Sequence, residues 1–343
     1  MAEPLDITCK YSSNSPLINA SGCQCATKTM LDTLLDVPGL GSIMTKSATL
    51  EPRSGNPEPR YWEDPAGQFT INAMGLPNCG LAYYLDYYKN LGESWAQTRF
   101  ISIAGLTLDE NLAMLELLFD PASSYYKYID MLEVNLSCPN LVGGHGLAGY
   151  DLDNLGQYLY TLLSKFYDLE QSRSSSNKIR VGLKLPPYYE FSQFDRIVNI
   201  LKIHNSLTGM ATPVSFIHTI NSIPNGLVID AETESPVIKP KAGFGGLGGS
   251  IVKPVALANV CAFYTRFKST GLADISIIGS GGVSSGQDIF EFILAGAEMV
   301  SVGSQLMLEG PGCFARMQDE LREIMKKKGY TKLDDFRGQL RQL

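Results

Sequence analysis

Charge, histidine and long apolar runs are all scarce in this sequence. No uninterrupted apolar stretch reaches the roughly 20 residues of a spanning helix, and the opening MAEPLDITCK lacks the basic-then-apolar order of an export signal. The expectation is a soluble, unexported, cytoplasmic chain. Charged residues are only 18% of the total and sum to a formal −7, with a pI near 5.1. Such a surface repels phosphate backbones and anionic membranes, which argues against nucleic-acid and membrane partners. The seven cysteines (9, 23, 25, 79, 138, 261 and 313) are odd in number and scattered, which argues against a disulfide scaffold and for reduced thiols. Only Cys23 and Cys25 are close in sequence, and no second pair or adjacent histidine completes a ligand set. With histidines only at 145, 204 and 218, no metal site is expected. Internal repeats and heptads are absent as well.

What the chain does have is apolar text, 44% of it, in eight short segments. These are PLINAS (16–21), SIMTKS (42–47), RFISIAG (99–105), MLEVNLS (131–137), IRVGLKL (179–185), SFIHTINS (215–222), ISIIGS (275–280) and MVSVGS (299–304). Their near-continuous apolarity suits strands covered on both faces. Helical patterns lie between most of them, including DENLAMLELLFD from Asp109, NLGQYLYTLLSKFYDLE from Asn154 and PVALANVCAFYTRF from Pro254. Alternation of this kind predicts an α/β fold, a closed (β/α)8 barrel, with an open doubly wound sheet as the competing topology. Polar residues end strand after strand around the whole series, which favours the barrel.

One barrel domain is expected over residues 1–343, with rim insertions at 50–79 and 221–249 and a glycine-rich lid at 141–150. The first insertion has turn chemistry throughout. In the second, LVID and PVIK are placed to pair as a small ribbon.

Three glycine runs, GFGGLGGSIVKP, IIGSGGVSSG and VSVGSQ, follow the sixth, seventh and eighth segments. Alone each reads as a turn; together they suit a phosphate held by backbone N–H groups, and none has the dinucleotide spacing. Asn19, Asn72, Asn135, Asn140 and Asn221 sit at strand ends or rim loops. They are either caps and turns or, jointly, the polar wall of a cleft for a planar ligand. Lys46 and Lys184 interrupt apolar strand text, so each ammonium either snorkels to water or faces an anion. Cys138, before Pro139, is a small buried hydrophobe, an acid-base thiol, or a nucleophile oriented by His145, His204 or His218.

In order along the chain, INASG (18–22), TKS (45–47), INAMGLPN (71–78), EVNLSCPN (133–140), GLKLPPY (182–188), INSIPNGLVID (220–230), IKPKAGFGGLGG (238–249), GSGGV (279–283) and VGSQL (302–306) resemble the class 1A, fumarate-linked dihydroorotate dehydrogenases over nearly the whole length. The resemblance implies FMN over the C-terminal mouth of the barrel. Ala20, Ser21, Gly22, Lys46, Ser47, Asn72, Asn135 and Lys184 would lie along its ring. Gly248, Gly249, Ser280, Gly281, Gly282, Gly303 and Ser304 would hold its ribityl phosphate. Lys46, Asn72, Met74, Gly75, Leu76, Asn135, Pro139, Asn140, Asn221 and Ser222 would surround the pyrimidine.

Cys138 would take a proton from C5 of dihydroorotate while C6 gives a hydride to the flavin, Lys184 stabilising the reduced ring. Orotate would leave, and fumarate would be reduced to succinate in the same site. The family further implies a homodimer. An NAD-linked catalytic subunit and a non-catalytic flavin-binding homologue are the alternatives. Two stretches depart from the family pattern: LVGGHGLAGYD replaces a Val-Pro-Gly-Lys-Pro-Gln-like lid, and Pro224 interrupts NSIPN.

Overall fold

A computed structural model describes residues 5–93, 95–137, 148–173, 178–208 and 214–341. Its centre is a closed barrel of eight parallel strands: Leu17–Asn19, Ser42–Met44, Thr98–Ile103, Met131–Asn135, Arg180–Lys184, Phe216–Thr219, Ser276–Ser280 and Met299–Val302. They follow one another around the barrel in chain order, and the first closes on the eighth through Leu17↔Val300. Each expected segment contains one strand, and the open-sheet topology is excluded by the closure.

Alternation along the strands divides the core in two. Ile18, Met44, Phe100, Met131, Phe216, Ile278 and Met299 point inward and, with Tyr11, fill the lower barrel. Their neighbours Leu17, Ile43, Ile101, Leu132, Ile217, Ile277 and Val300 join the larger core under the helices. Both faces are covered, hence the near-continuous apolar text. Gly182 makes room for the inner layer, since a Cβ there would stand 2.4 Å from the Phe216 ring.

Helices begin where local chemistry provides for their free N–H groups. Thr107 caps Leu108–Phe119, with Asp109 and Glu110 in its first turn. Ser285 and Asp288 form a reciprocal capping box on Gly286–Leu294. Pro254 lies in the first turn of Lys253–Thr270. Lys28–Asp32, Leu81–Leu91 and Ser304–Glu309 are helices not expected from the pattern.

The insertions build a roof. Tyr61–Glu63, Phe69–Asn72, Gly245–Gly249 and Ile223–Gly226 form, in that order, a four-stranded antiparallel sheet. It packs Ile71, Ala73 and Ile238 against Trp62, Val228, Val237 and Leu247. Residues 50–79 are therefore not turns throughout, and GGLGG is a strand rather than a loop. Its partners Thr70 and Ile71 lie far away in sequence, and a run with almost no side chains carries no strand signal of its own. The expected ribbon is present, with Ile229 opposite Pro236 and Asp230 opposite Ser235. Pro224 stands on the roof's edge strand, where a missing N–H leaves no central ladder bond unmade.

Candidate active site

A cleft of about 570 Å³ lies between the barrel's C-terminal mouth and the roof. Its size is that of an ordinary cofactor or ligand pocket, which runs from about 300 to 1,000 Å³. The barrel supplies the floor, because residues just past each strand end face the mouth. Ala20, Ser21 and Gly22 follow the first strand, Lys46 and Ser47 the second, and Asn221 and Ser222 the sixth. Asn135 and Lys184 are themselves the last residues of the fourth and fifth strands. From the roof come Asn72, Met74, Gly75 and Leu76.

Hydrogen bonds hold this floor rigid. Ser47 is the hub: its Oγ accepts from Asn135 Nδ2 at 3.0 Å and lies 3.2 Å from Ser21 Oγ and 2.9 Å from Ser102 Oγ. Lys184, only 4% exposed, donates from Nζ to Ser21 Oγ at 3.3 Å. Ser102 donates to Glu133 Oε1 at 2.8 Å, and Glu133 Oε2 meets His218 Nδ1 at 2.5 Å, with both side chains fully buried. Burial pushes the Glu133 carboxyl up, but its contacts with His218, the Lys184 charge and the Ser102 hydrogen bond outweigh it and hold it below the usual carboxylate range. Burial first, then the Lys184 charge, push His218 below its usual range against the pull of Glu133.

The asparagines separate by role. Asn135 Oδ1 accepts from the N–H and hydroxyl of Ser137, both at 3.0 Å, and Asn221 Nδ2 donates to the Ser137 carbonyl. The backbone entering position 138 is thereby tied to two strands. Asn72 Nδ2 donates to the Gly246 carbonyl at 3.3 Å, tying the hairpin to its neighbouring roof strand. Asn19 faces no cleft: it bridges to Met44, accepting from its N–H and donating to its carbonyl, both at 2.8 Å. Its use is structural. Cys138, Pro139, Asn140 and positions 141–147 of the expected lid lie outside the described residues.

The same cleft is lined by Ser280, Gly281 and Gly282 after the seventh strand, Gly303 and Ser304 after the eighth, and Gly248 and Gly249 from the roof. A Cβ on Gly248 would come within 3.0 Å of Thr70 Oγ1 and 3.1 Å of Ser304 Oγ, so only glycine leaves that cradle open. Lys253, whose Cβ borders Gly282, turns its ammonium away to Asp288 at 2.6 Å and Glu291 at 2.9 Å. An anion there would be met by backbone N–H groups and hydroxyls. Two lysines and a glycine cradle lining one cleft of this size fit FMN, a planar ring carrying a phosphorylated tail.

Sequence reasoning missed several lining residues, among them Cys23, Tyr61, Thr70, Met307 and Leu308. Thr70 and Tyr61 belong to the roof hairpin, which had no readable strand signal, and Met307 and Leu308 to the short unforeseen helix. Burial raises the Cys23 thiol against the opposing charges of Lys46 and Lys184. Among the described residues no cluster of histidine, cysteine, aspartate or glutamate could hold a metal ion, and no helix is long and apolar enough to cross a membrane.

Residues 7–325 match the family model described as dihydroorotate dehydrogenase. The dihydroorotate dehydrogenase (fumarate) of Saccharomyces cerevisiae is 44% identical over 339 residues, covering 97% of this chain and 98% of the yeast protein. That of Trypanosoma cruzi is 44% identical over 95% of each chain, and the probable dihydroorotate dehydrogenase A (fumarate) of Enterococcus faecalis 42% identical over 99% and 100%. In fold, the chain is similar to the Eimeria tenella DHODH solved with ferulenol, with a TM-score of 0.75 at 19% identity over 98% of this chain and 90% of that one. A family model spanning most of the sequence, full-length relatives of one description, and a barrel whose mouth is built from the matching motifs agree: the chain belongs to the dihydroorotate dehydrogenase family.

Proposed function

We propose that the chain oxidises (S)-dihydroorotate to orotate and reduces fumarate to succinate in a single cleft, a step of pyrimidine biosynthesis. The observation that carries this reading is the convergence of Lys46, Lys184, Asn72, Asn135 and Asn221 on one space beside the backbone that leads into position 138. Lys46, Ser47, Asn135 and Lys184 would hold the ring of FMN, together with Ala20, Ser21 and Gly22, while Gly248, Gly249, Ser280, Gly281, Gly282, Gly303 and Ser304 would hold its phosphate end. When bound, FMN supplies the redox chemistry, accepting a hydride from C6 of dihydroorotate and delivering one to fumarate.

The protein's own work is proton transfer and orientation. Cys138 takes the C5 proton of dihydroorotate, and the C–H electrons enter the new C5=C6 bond. In the second half-reaction the same thiol returns a proton to the carbon skeleton of fumarate. Asn72, Asn135, Asn140 and Asn221 offer paired donors and acceptors to the pyrimidine's alternating C=O and N–H edge. Lys46 meets the carboxylate-bearing region, while Met74, Gly75, Leu76, Pro139 and Ser222 shape the cavity.

The fumarate-linked relatives support this acceptor over the NAD-linked alternative. An anaerobic absorption spectrum tests the whole reading: flavin colour bleaches on adding dihydroorotate and returns on adding fumarate, with no partner protein. Bleaching without recovery supports an acceptor other than fumarate; no bleaching supports the non-catalytic homologue. A cytoplasmic homodimer belongs to the same proposal. The exposed apolar side chains of Leu227, Ile229 and Phe244 on the roof support an assembly surface there.

A further inference from the structure

The barrel interior changes character partway up. Two positions along the same inward faces, Phe100 gives way to Ser102, Met131 to Glu133, Phe216 to His218 and Met299 to Ser301, all of them buried. A carboxylate and an imidazole thus replace packing side chains at a depth solvent does not reach, which is strongly disfavoured without a compensating charge.

That compensation is visible. Ser102 gives its one proton to Glu133, and its Oγ lies 2.9 Å from Ser47 Oγ. Ser47 in turn touches Ser21, which accepts from Lys184. An unbroken row of buried groups, His218, Glu133, Ser102, Ser47, Ser21 and Lys184, joins a fixed anion to the ammonium in the cleft floor. The imidazole is neutral within it. Among the described residues its Nε2 has no hydrogen-bond partner, and an idle lone pair there is tolerable where a stranded N–H of a cationic ring would not be. The interior therefore carries one negative charge, on Glu133, opposite the positive charge of Lys184.

We propose that Glu133, locked by His218, is the positioning counter-ion of Lys184, and that the serine row between them holds the ammonium in place against the flavin. This rests on the reading of the cleft as an FMN site. Neither Glu133 nor His218 lines the cleft, so both act through Lys184.

The test uses FMN-loaded protein and a dye-coupled measurement of the flavin midpoint potential, which reports the relative affinity for reduced and oxidised FMN. Glu133→Gln is expected to lower that affinity ratio about tenfold or more, and by less than about twofold in a Lys184→Met background, because the effect is transmitted through the ammonium. An equal shift in both backgrounds, or none in either, overturns the proposal. Should Glu133→Gln fail to fold, Ser102→Ala interrupts the row while leaving Glu133 and His218 paired. It should shift the ratio in the same direction only when Lys184 is present, and an equal shift without Lys184 overturns the idea. Nitrogen-15 spectra of this three-histidine chain give a readout independent of flavin. His218 should carry a proton on Nδ1 alone at neutral pH; a doubly protonated ring overturns the charge assignment. A chain that binds no FMN in any background refutes the flavoenzyme reading instead, and the nitrogen spectrum still decides the charge of the pair.

Discussion

Position 138 shows how single residues divide their labour. Asn135 and Asn221 hold Ser137 from two strands, so the chain enters the cysteine from a rigid base. Replacing Cys138 with alanine should leave FMN bound while slowing flavin reduction by dihydroorotate by about 10²-fold or more, the usual scale of a lost general base. Rapid mixing measures it. Cys138→Ser should retain a slow reduction whose rate rises toward alkaline pH. Lys184→Ala should weaken FMN retention, read by fluorescence of released flavin, because the floor loses its buried cation.

The Glu133–His218 pair predicts acid sensitivity at the same scale. Both groups titrate lower in the folded protein than in the unfolded chain, so the unfolded chain binds more protons as pH falls, and stability drops. His218 contributes stability present above its unfolded value near 6.5 and lost below it. Glu133 contributes stability present above its unfolded value, about 4.3, and lost as pH falls below it. Urea midpoints measured across that range should decline from near pH 6.5 downward, and His218→Gln should flatten the upper part of the slope.

Among elements, the fifth strand and the roof strand use glycine for opposite ends. Gly182 removes bulk from a packed interior, and Gly182→Ala would drive a methyl into the Phe216 ring at 2.4 Å. Overpacking of this kind costs about 1–3 kcal/mol, so a lowered urea midpoint is expected. Gly248 keeps a cradle open next to Thr70 and Ser304. Gly248→Val should cut FMN affinity and leave the unfolding midpoint of the FMN-free protein nearly unchanged.

Elements also differed in how far they could be read in advance. All eight barrel strands were legible because a strand buried on both faces announces itself in its own residues. The roof was not: Gly245–Gly249 is a strand because Ile223–Gly226 pairs with one edge of it and Phe69–Asn72, more than half the chain away, with the other. Leu81–Leu91 escaped for a related reason, since its five tyrosines and leucines on the buried side follow a proline- and glycine-rich stretch that reads as loop.

Across the whole molecule, Leu227, Ile229 and Phe244 stand 44%, 62% and 41% exposed on the roof. If they form the dimer surface, Ile229→Asp should shift the sedimentation coefficient from dimer toward monomer, because a charge buried in an apolar contact goes uncompensated. A wild-type chain sedimenting as a monomer removes that part of the proposal.

The family, the barrel and the residues around its mouth were readable in the one-dimensional order of motifs, because each barrel strand carries its own burial pattern and its own polar end group. Glu133 and His218 were not readable in that way. In the sequence they are a glutamate and a histidine 85 positions apart, each within an apolar strand, and nothing local says that they face the same interior. Barrel closure sets their strands close together with both side chains pointing inward, and only there does their charge fall under Lys184. The same holds for the roof, whose hydrogen bonds exist only once distant segments meet.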